Sequence, residues 1–302
     1  MIYYLVRPFI YLISILPFPC LYFLSDLLHI GLYHVGGYRK SIVRGNLTLS
    51  FPEMAPNEIK KLEKQYYRYL CDLFLETLKT VSISAKKLQR HCNVDDTTLQ
   101  LFDRLYRENK SIIIVMGHKG NWEWACNVLA LQCKQPVYVI YHPLNNLRFD
   151  KLLYRMRTRL GTHIIPMQNT FQQLKRMEQD VSISVFIADQ SPSPQTAYWT
   201  DFLNQDTAFF RGPERISSKL RQTVVYASIR QTKRSHYTVH AETMAGSHVS
   251  YKQGELTEMY ARELEKDIKS QPQTWLWSHR RWKHRRMNND IHGPEESQNI
   301  KS

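Results

Sequence analysis

SIIIVMGHKGNWEWA, Ser111 to Ala125, runs five apolar residues into a glycine and a histidine. A second glycine, an asparagine and a glutamate between two tryptophans follow. An unbroken apolar run of this length reads as a strand buried on both faces, as in the middle of a parallel sheet. Gly117 and Gly120 permit a sharp turn after it. On one continuous helix His118 and Glu123 would point about 140° apart. They meet only if His118 lies in the turn and Glu123 opens the next helix, where the N-terminus favours a negative charge. A carboxylate beside an imidazole fixes its tautomer and raises its basicity. Such a pair can take a proton from a hydroxyl, and ligands of open α/β sheets collect at the carboxyl ends of strands. The plainer alternative is a capping glutamate and an incidental histidine. No His or Asp stands here at metal-ligand spacing, so no metal is expected.

Outward from this stretch the pattern alternates. APNEIKKLEKQYYRYLCDLFLETLKT places Ile59, Leu62, Tyr66, Tyr69, Leu70 and Leu73 at a helical period. PVYVIYH reads as a strand, LRFDKLLYRMRTRLG as a helix ended by Gly161, HIIP as a short extended piece and TFQQLKRMEQD as a helix. VSISVFIAD is a further strand, PERISSKLRQ a helix with proline at its start, TVVYASIRQ and HYTVHAETM are strands, and GELTEMYARELEKDIKSQ is a late helix. Strands alternating with helices predict an α/β fold: a mostly parallel central sheet flanked by helices.

The N-terminus is of another kind. PFIYLISILPFPCLYFL, Pro8 to Leu24, carries no charge. Its length is the short limit for a spanning helix, about 17 residues, and Pro17 and Pro19 would kink or stop it. With Arg7 the basic residue before it and no small-residue cleavage site after it, a cleaved signal peptide is not expected. Arg39, Lys40 and Arg44 would hold the following flank on the cytoplasmic side. The expected division is a membrane anchor over 1–37, a catalytic domain over 38–288 and a polar tail over 289–302. Whether the anchor spans the bilayer or lies in it stays open.

The chain has 302 residues, 43% of them hydrophobic, and a formal net charge of +14. That hydrophobic share excludes a disordered chain, and the charge favours anionic partners: nucleic acid, acidic proteins, phosphorylated lipids or a membrane surface. Cys20, Cys71, Cys92, Cys126 and Cys133 form no two-residue-gap pair, so they read as reduced thiols. Cys126 reads as a small buried apolar residue and not as a nucleophile.

Several blocks together resemble one family. RGNLTLSFPEM, GHKGNWEWA, YHPLNNLRFDKLLYRMRTRLG, ADQSPS, FFRGPERIS and QPQTWLWSHRRWKHR stand in that order between about Arg44 and Arg286. They are similar to the blocks of the late acyltransferases of lipid A biosynthesis, within the lysophospholipid acyltransferase superfamily. GHKGNWEWA carries that family's signature, a histidine and an acidic residue with four residues between them. Two departures stand out: Ser191 takes the place of a usual aspartate, and the block from Phe202 to Phe210 lacks the usual glycine and proline.

The resemblance implies direct transfer without a cofactor, a metal or an acyl-enzyme. His118 would deprotonate a 3-hydroxyl of a hydroxyacyl chain, Glu123 would orient His118, and the oxygen would attack the thioester of acyl–acyl carrier protein. Asn121, amides near Gly120 and Arg157 are candidate oxyanion donors. Asn121, Arg157, Asp189, Gln190 and Arg215 are expected to bind substrate, and Arg280 and Arg281 to hold phosphates or shape the pocket. Asp189 could equally cap the next turn. Phe171, Phe186, Phe209 and Phe210 could line an acyl slot, although such residues are more often simple core. The implied partners are acyl carrier protein, a lipid A precursor and the membrane. The implied place is the bacterial inner membrane, with the catalytic domain on the cytoplasmic face. Trp275, Trp277 and Trp282 among cations fit a membrane interface; without a nucleic-acid motif, nucleic acid is not an expected partner. Two other readings compete: the same chemistry on an aminolipid or phosphoglycolipid, and a non-catalytic basic binding protein.

Overall fold

The computed structural model describes residues 2–247, 249 and 251–286; the expected polar tail over 289–302 lies outside the described residues. In chain order the helices and strands begin with α1 (Ile2–Ile15), α2 (Phe18–His29), α3 (Lys40–Ser50), α4 (Pro56–Lys79) and α5 (Ala85–His91). The central part follows as β1 (Cys92–Val94), α6 (Asp96–Arg107), β2 (Ile112–Met116), α7 (Trp122–Gln132), β3 (Val137–Tyr141), α8 (Leu147–Thr158), β4 (His163–Pro166), α9 (Thr170–Arg176) and β5 (Ile183–Ile187). The chain continues as β6 (Tyr198–Phe202), β7 (Gln205–Phe209), α10 (Gly212–Leu220), β8 (Thr223–Lys233), β9 (His236–Ala245) and α11 (Glu255–Ser270).

Seven strands form one sheet in the order β1-β9-β8-β2-β5-β3-β4. Every pairing in it is parallel except that of β8 with β9. β2 is central and buried along its whole length. Ile113 and Val115 pack toward α4, α10 and α11, whereas Ile112, Ile114 and Met116 pack toward α5, α6 and α7. Both faces of the sheet are thus covered, which is why β2 carries no alternating polar residue. β6 and β7 form a separate hairpin, closed by Leu203 and Asn204, both at positive φ.

The N-terminal helices lie against α4. The apolar run does not continue as one helix: α1 ends at Ile15, and α2 starts after Pro17, with a proline in its first turn. At about 1.5 Å per residue α1 is some 20 Å long, short of a ~30 Å hydrocarbon core. No helix among the described residues is long and apolar enough to cross a membrane. The exposure pattern of α1 and α2 is inverted. Ser14 and Ser25 are fully buried, while Phe9, Leu12, Phe23 and Leu27 face outward. Ser14 donates to the Tyr11 carbonyl of its own helix, and on α2 polar side chains point into the protein because α4 offers them partners there. Ser25 donates to Asp72, Tyr22 donates to Glu76, and Arg234 bridges Asp26 and Asp72.

Candidate active site

The parallel register decides what meets His118. Met116 stands opposite Ile187 in the ladder between β2 and β5. Two residues further along each chain the same register brings His118 level with Asp189. The His118 amide donates to Asp189 Oδ2 at 2.7 Å, and the ring Nδ1 lies 2.5 Å from Asp189 Oδ1. The indole of Trp275 donates to the same carboxylate at 2.7 Å. Burial alone would push the Asp189 carboxyl up, but the His118 charge and these donors hold it down at about 2. An ionised carboxylate only accepts, so Nδ1 carries a proton; in the neutral imidazole the lone pair then falls on Nε2. Gln190 Nε2 sits 3.4 Å from that nitrogen.

The turn that carries His118 is clamped on every side. Gly117 leaves room for its neighbours: a Cβ would fall 2.5 Å from the Leu264 side chain and 3.2 Å from the Asp189 carboxylate, so a larger residue would push on both. Gly120 has φ +59, and a Cβ there would come within 2.8 Å of the Ile229 carbonyl. Gly120 donates its amide to the Thr274 carbonyl at 3.0 Å and its own carbonyl accepts from Tyr69 at 2.6 Å. Leu276 donates to the His118 carbonyl, so the tryptophan-rich segment from Thr274 to Trp277 serves as a strap over the turn.

Glu123 opens α7 as expected, and its carboxylate is paired with Arg157 and not with the imidazole. Its two oxygens accept from Arg157 of α8, at 2.9 Å from Nε and 2.5 Å from Nη2. The carboxylate bonded to the His118 ring is Asp189, expected as a substrate contact. The reason is topological: β5 brings Asp189 beside His118 in the sheet plane, whereas α7 turns Glu123 toward α8. Asn121 has its partners inside the protein. It is fully buried; its Oδ1 caps α7 by accepting from the Trp124 amide, and its Nδ2 donates to Glu76. The Asn121 side chain and the Gly120 amide thus both have partners within the protein.

Glu76 is the residue that sequence reasoning missed. It is fully buried on α4 and accepts from Tyr22, Asn121 and Tyr237. Burial raises its carboxyl to about 7, against the pull of these three donors. The signal that could have found it is the set of charged positions Glu63, Asp72, Glu76 and Lys79 on the buried face of α4.

His118, Glu123, Arg157 and Gln190 share one cavity of about 400 Å³. Its apolar walls are Trp122, Val139, Ile140, Leu153, Met167 and Ile187. The four phenylalanines considered for an acyl slot are elsewhere: Phe186 and Phe209 are core residues, and Phe171 lies exposed on α9, with Phe210 outside the cavity lining as well. Cys126 lines the cavity, but burial pushes its thiol up to about 12, so it offers no thiolate near neutral pH. Arg215 is exposed on α10 and does not line the cavity. Arg280 is exposed. Arg281 is buried, donating to the Ala208 carbonyl with its guanidinium over the Phe209 ring, and burial lowers it to about 10. It props the strap; it does not face the cavity.

A sequence model described as "bacterial lipid A biosynthesis acyltransferase" matches residues 1–284. The chain belongs to this family. The acyltransferase is 22% identical over 272 residues to a lipid A biosynthesis palmitoleoyltransferase of Escherichia coli (strain K12), covering 89% of this chain and 87% of the relative. A lipid A biosynthesis acyltransferase of Haemophilus influenzae (strain ATCC 51907 / DSM 11121 / KW20 / Rd) is 23% identical over 256 residues, covering 83% of this chain and 79% of the relative. A lipid A biosynthesis acyltransferase of Shigella flexneri matches over 272 residues at 22% identity, again across 89% and 87% of the two chains.

Proposed function

We propose that the enzyme moves a fatty acyl chain from acyl–acyl carrier protein to a hydroxyl of a lipid A precursor, at the cytoplasmic face of the bacterial inner membrane. The observation that carries the mechanism is His118 on the cavity wall, with Nδ1 tied to an ionised Asp189. Nε2 of His118 takes the proton of the acceptor hydroxyl. The oxygen attacks the thioester carbonyl, and the tetrahedral oxyanion collapses by expelling the carrier thiolate. The thiolate receives the proton held by His118, so the imidazole returns to its starting form. Asp189 orients the ring and stabilises the imidazolium between the two transfers. Gln190 and Arg157 are the side-chain donors that face the developing oxyanion. Glu123 is a positioning residue: its bidentate contact aims the Arg157 guanidinium. The apolar walls accept the acyl chain.

Membrane association is supported by the inverted exposure of α1 and α2, which present aromatic and aliphatic side chains outward. Lying in the interface suits helices of this length better than spanning it. The test is purified enzyme incubated with a panel of acyl–acyl carrier proteins and tetra-acyl precursor. The expected product is heavier by one acyl group. Lipid A unchanged in a deletion strain, with an aminolipid or phosphoglycolipid short of an acyl chain, would move the activity to another acceptor.

A further inference from the structure

α8 has two chemically different faces. At about 100° per residue, Asp150, Leu153 and Arg157 form one stripe, and Arg148, Lys151, Arg155 and Arg159 fall about half a turn away. The first stripe lines the active cavity. The second lines a different cavity of about 420 Å³, walled on the other side by Tyr4, Arg7, Ile10 and Tyr11 of α1. Five cations from two helices and the end of α8 thus surround one space, and no carboxylate lines it. Among the described residues the ion pairs of α7 and α8 use Arg157 and Glu123, and none of these five cations. Two of the cations are held in place. Arg159 donates to the carbonyls of Thr80 and Ile83, and the Arg148 guanidinium lies 5.0 Å from the centre of the Tyr4 ring. Like charges gathered without a counter-charge repel one another, and an anion between them relieves that repulsion.

The surroundings say which anion. α1 supplies Arg7 and the aromatic wall, and the same helix exposes Phe9, Leu12 and Ile15. Cations beside outward-facing aromatic and aliphatic side chains are the composition of a bilayer interface. An acidic protein would meet the cations and leave the apolar surface in water, and a free phosphate would have no use for it. We propose that this cavity binds the phosphate of an anionic bilayer lipid, and so seats α1 and α8 on the membrane with the active cavity held beside it, across the width of α8. The bound lipid is a fixture of the docked enzyme and not the acceptor that reacts. The proposal rests on the membrane association argued above, and the two fail separately: neutral vesicles report the apolar face, and anionic vesicles report the cavity.

The test is flotation of the purified full chain with vesicles of phosphatidylcholine, alone or with phosphatidylglycerol added. Two variants carry the same loss of charge: Arg148→Gln/Lys151→Gln/Arg155→Gln at the cavity, and Lys60→Gln/Lys61→Gln/Lys64→Gln on α4. All six side chains are exposed, and circular dichroism with thermal melting checks that both variants fold. Wild-type protein should bind anionic vesicles more tightly than neutral ones. The cavity variant should lose that gain by about tenfold or more, the α4 variant should keep most of it, and all three should bind neutral vesicles alike. Equal loss in both variants would replace the site by diffuse charge and overturn the proposal. Inorganic phosphate that raises the melting temperature of wild type alone, with vesicle binding unaffected by the cavity variant, would make it a site for free phosphate. A raised KM for acyl–acyl carrier protein with vesicle binding intact would assign the cavity to an acidic protein instead.

Discussion

At the scale of single residues, Asp189 and Glu123 lie on either side of the catalytic turn and their environments set them apart. Asp189 accepts from His118 and Trp275, whereas Glu123 accepts from Arg157. Asp189→Asn keeps the shape but replaces an acceptor oxygen by a donor, so the imidazole loses its tautomer control. We expect kcat/KM to fall by roughly 10²–10⁴-fold. The same variant reports on stability. The folded state holds this carboxyl at about 2, below its ordinary 3.8. Its stabilising contribution is therefore full above about pH 4 and is lost as pH falls toward 2, roughly 2 kcal/mol in all. Acid unfolding of Asp189→Asn should lack that component. For the other pair, Arg157→Gln should impair transfer more than Glu123→Gln, with the double variant no worse than Arg157→Gln alone, because Glu123 acts through the Arg157 guanidinium. Additive losses in the cycle would show that Glu123 acts on something other than Arg157. The turn that carries His118 was legible in GHKGNWEWA, since a buried strand ending in glycines reads as a strand-to-helix turn. Which carboxylate serves the histidine was not legible, because Asp189 is 71 residues away in sequence and only the register of β2 with β5 joins them.

Among the elements, the strands of the parallel core and the helices over them follow from apolar runs and helical periods. What escaped were short or irregular pieces. β1 has 3 residues, too few for any period, and the β6–β7 hairpin turns at Leu203-Asn204 without the glycine that usually announces such a turn. The apolar stripe of α4 was visible, but its buried acidic positions were not, because their partners Tyr22, Asn121 and Tyr237 come from three distant segments. Those partners make α4 the joint between the N-terminal helices and the catalytic turn. Glu76→Ala leaves three buried donors without an acceptor and should destabilise the fold by about 3 kcal/mol or more, read as a lowered melting temperature. The sign of its pH dependence is opposite to that of Asp189. A carboxyl raised to about 7 from 4.5 favours folding most at low pH, and that contribution is lost as pH rises through 7. Gly120→Ala should also destabilise, since the added methyl meets both the Ile229 side chain and its carbonyl at a backbone angle that alanine resists.

On the scale of the whole molecule, the cavity at the carboxyl ends of the central strands and the outward-facing apolar helix pair suit, on the proposed function, a lipid chain and a soluble thioester meeting at His118. Replacing Phe9, Leu12 and Phe23 together by serine should weaken binding to neutral vesicles by tenfold or more and change the melting temperature little, because these side chains are mostly exposed. Weaker use of the acyl carrier at high salt is expected as well, since an acidic carrier is steered by the basic charge of the enzyme. The most direct measurement of the central claim is single-turnover transfer from acyl–acyl carrier protein to tetra-acyl lipid A precursor, followed by product mass, for wild type, His118→Ala and Asp189→Asn, all with matched circular dichroism. The account predicts a product heavier by one acyl chain for wild type and a rate lower by at least about a hundredfold for both variants. Near-wild-type transfer by folded His118→Ala, or by folded Asp189→Asn, would contradict it.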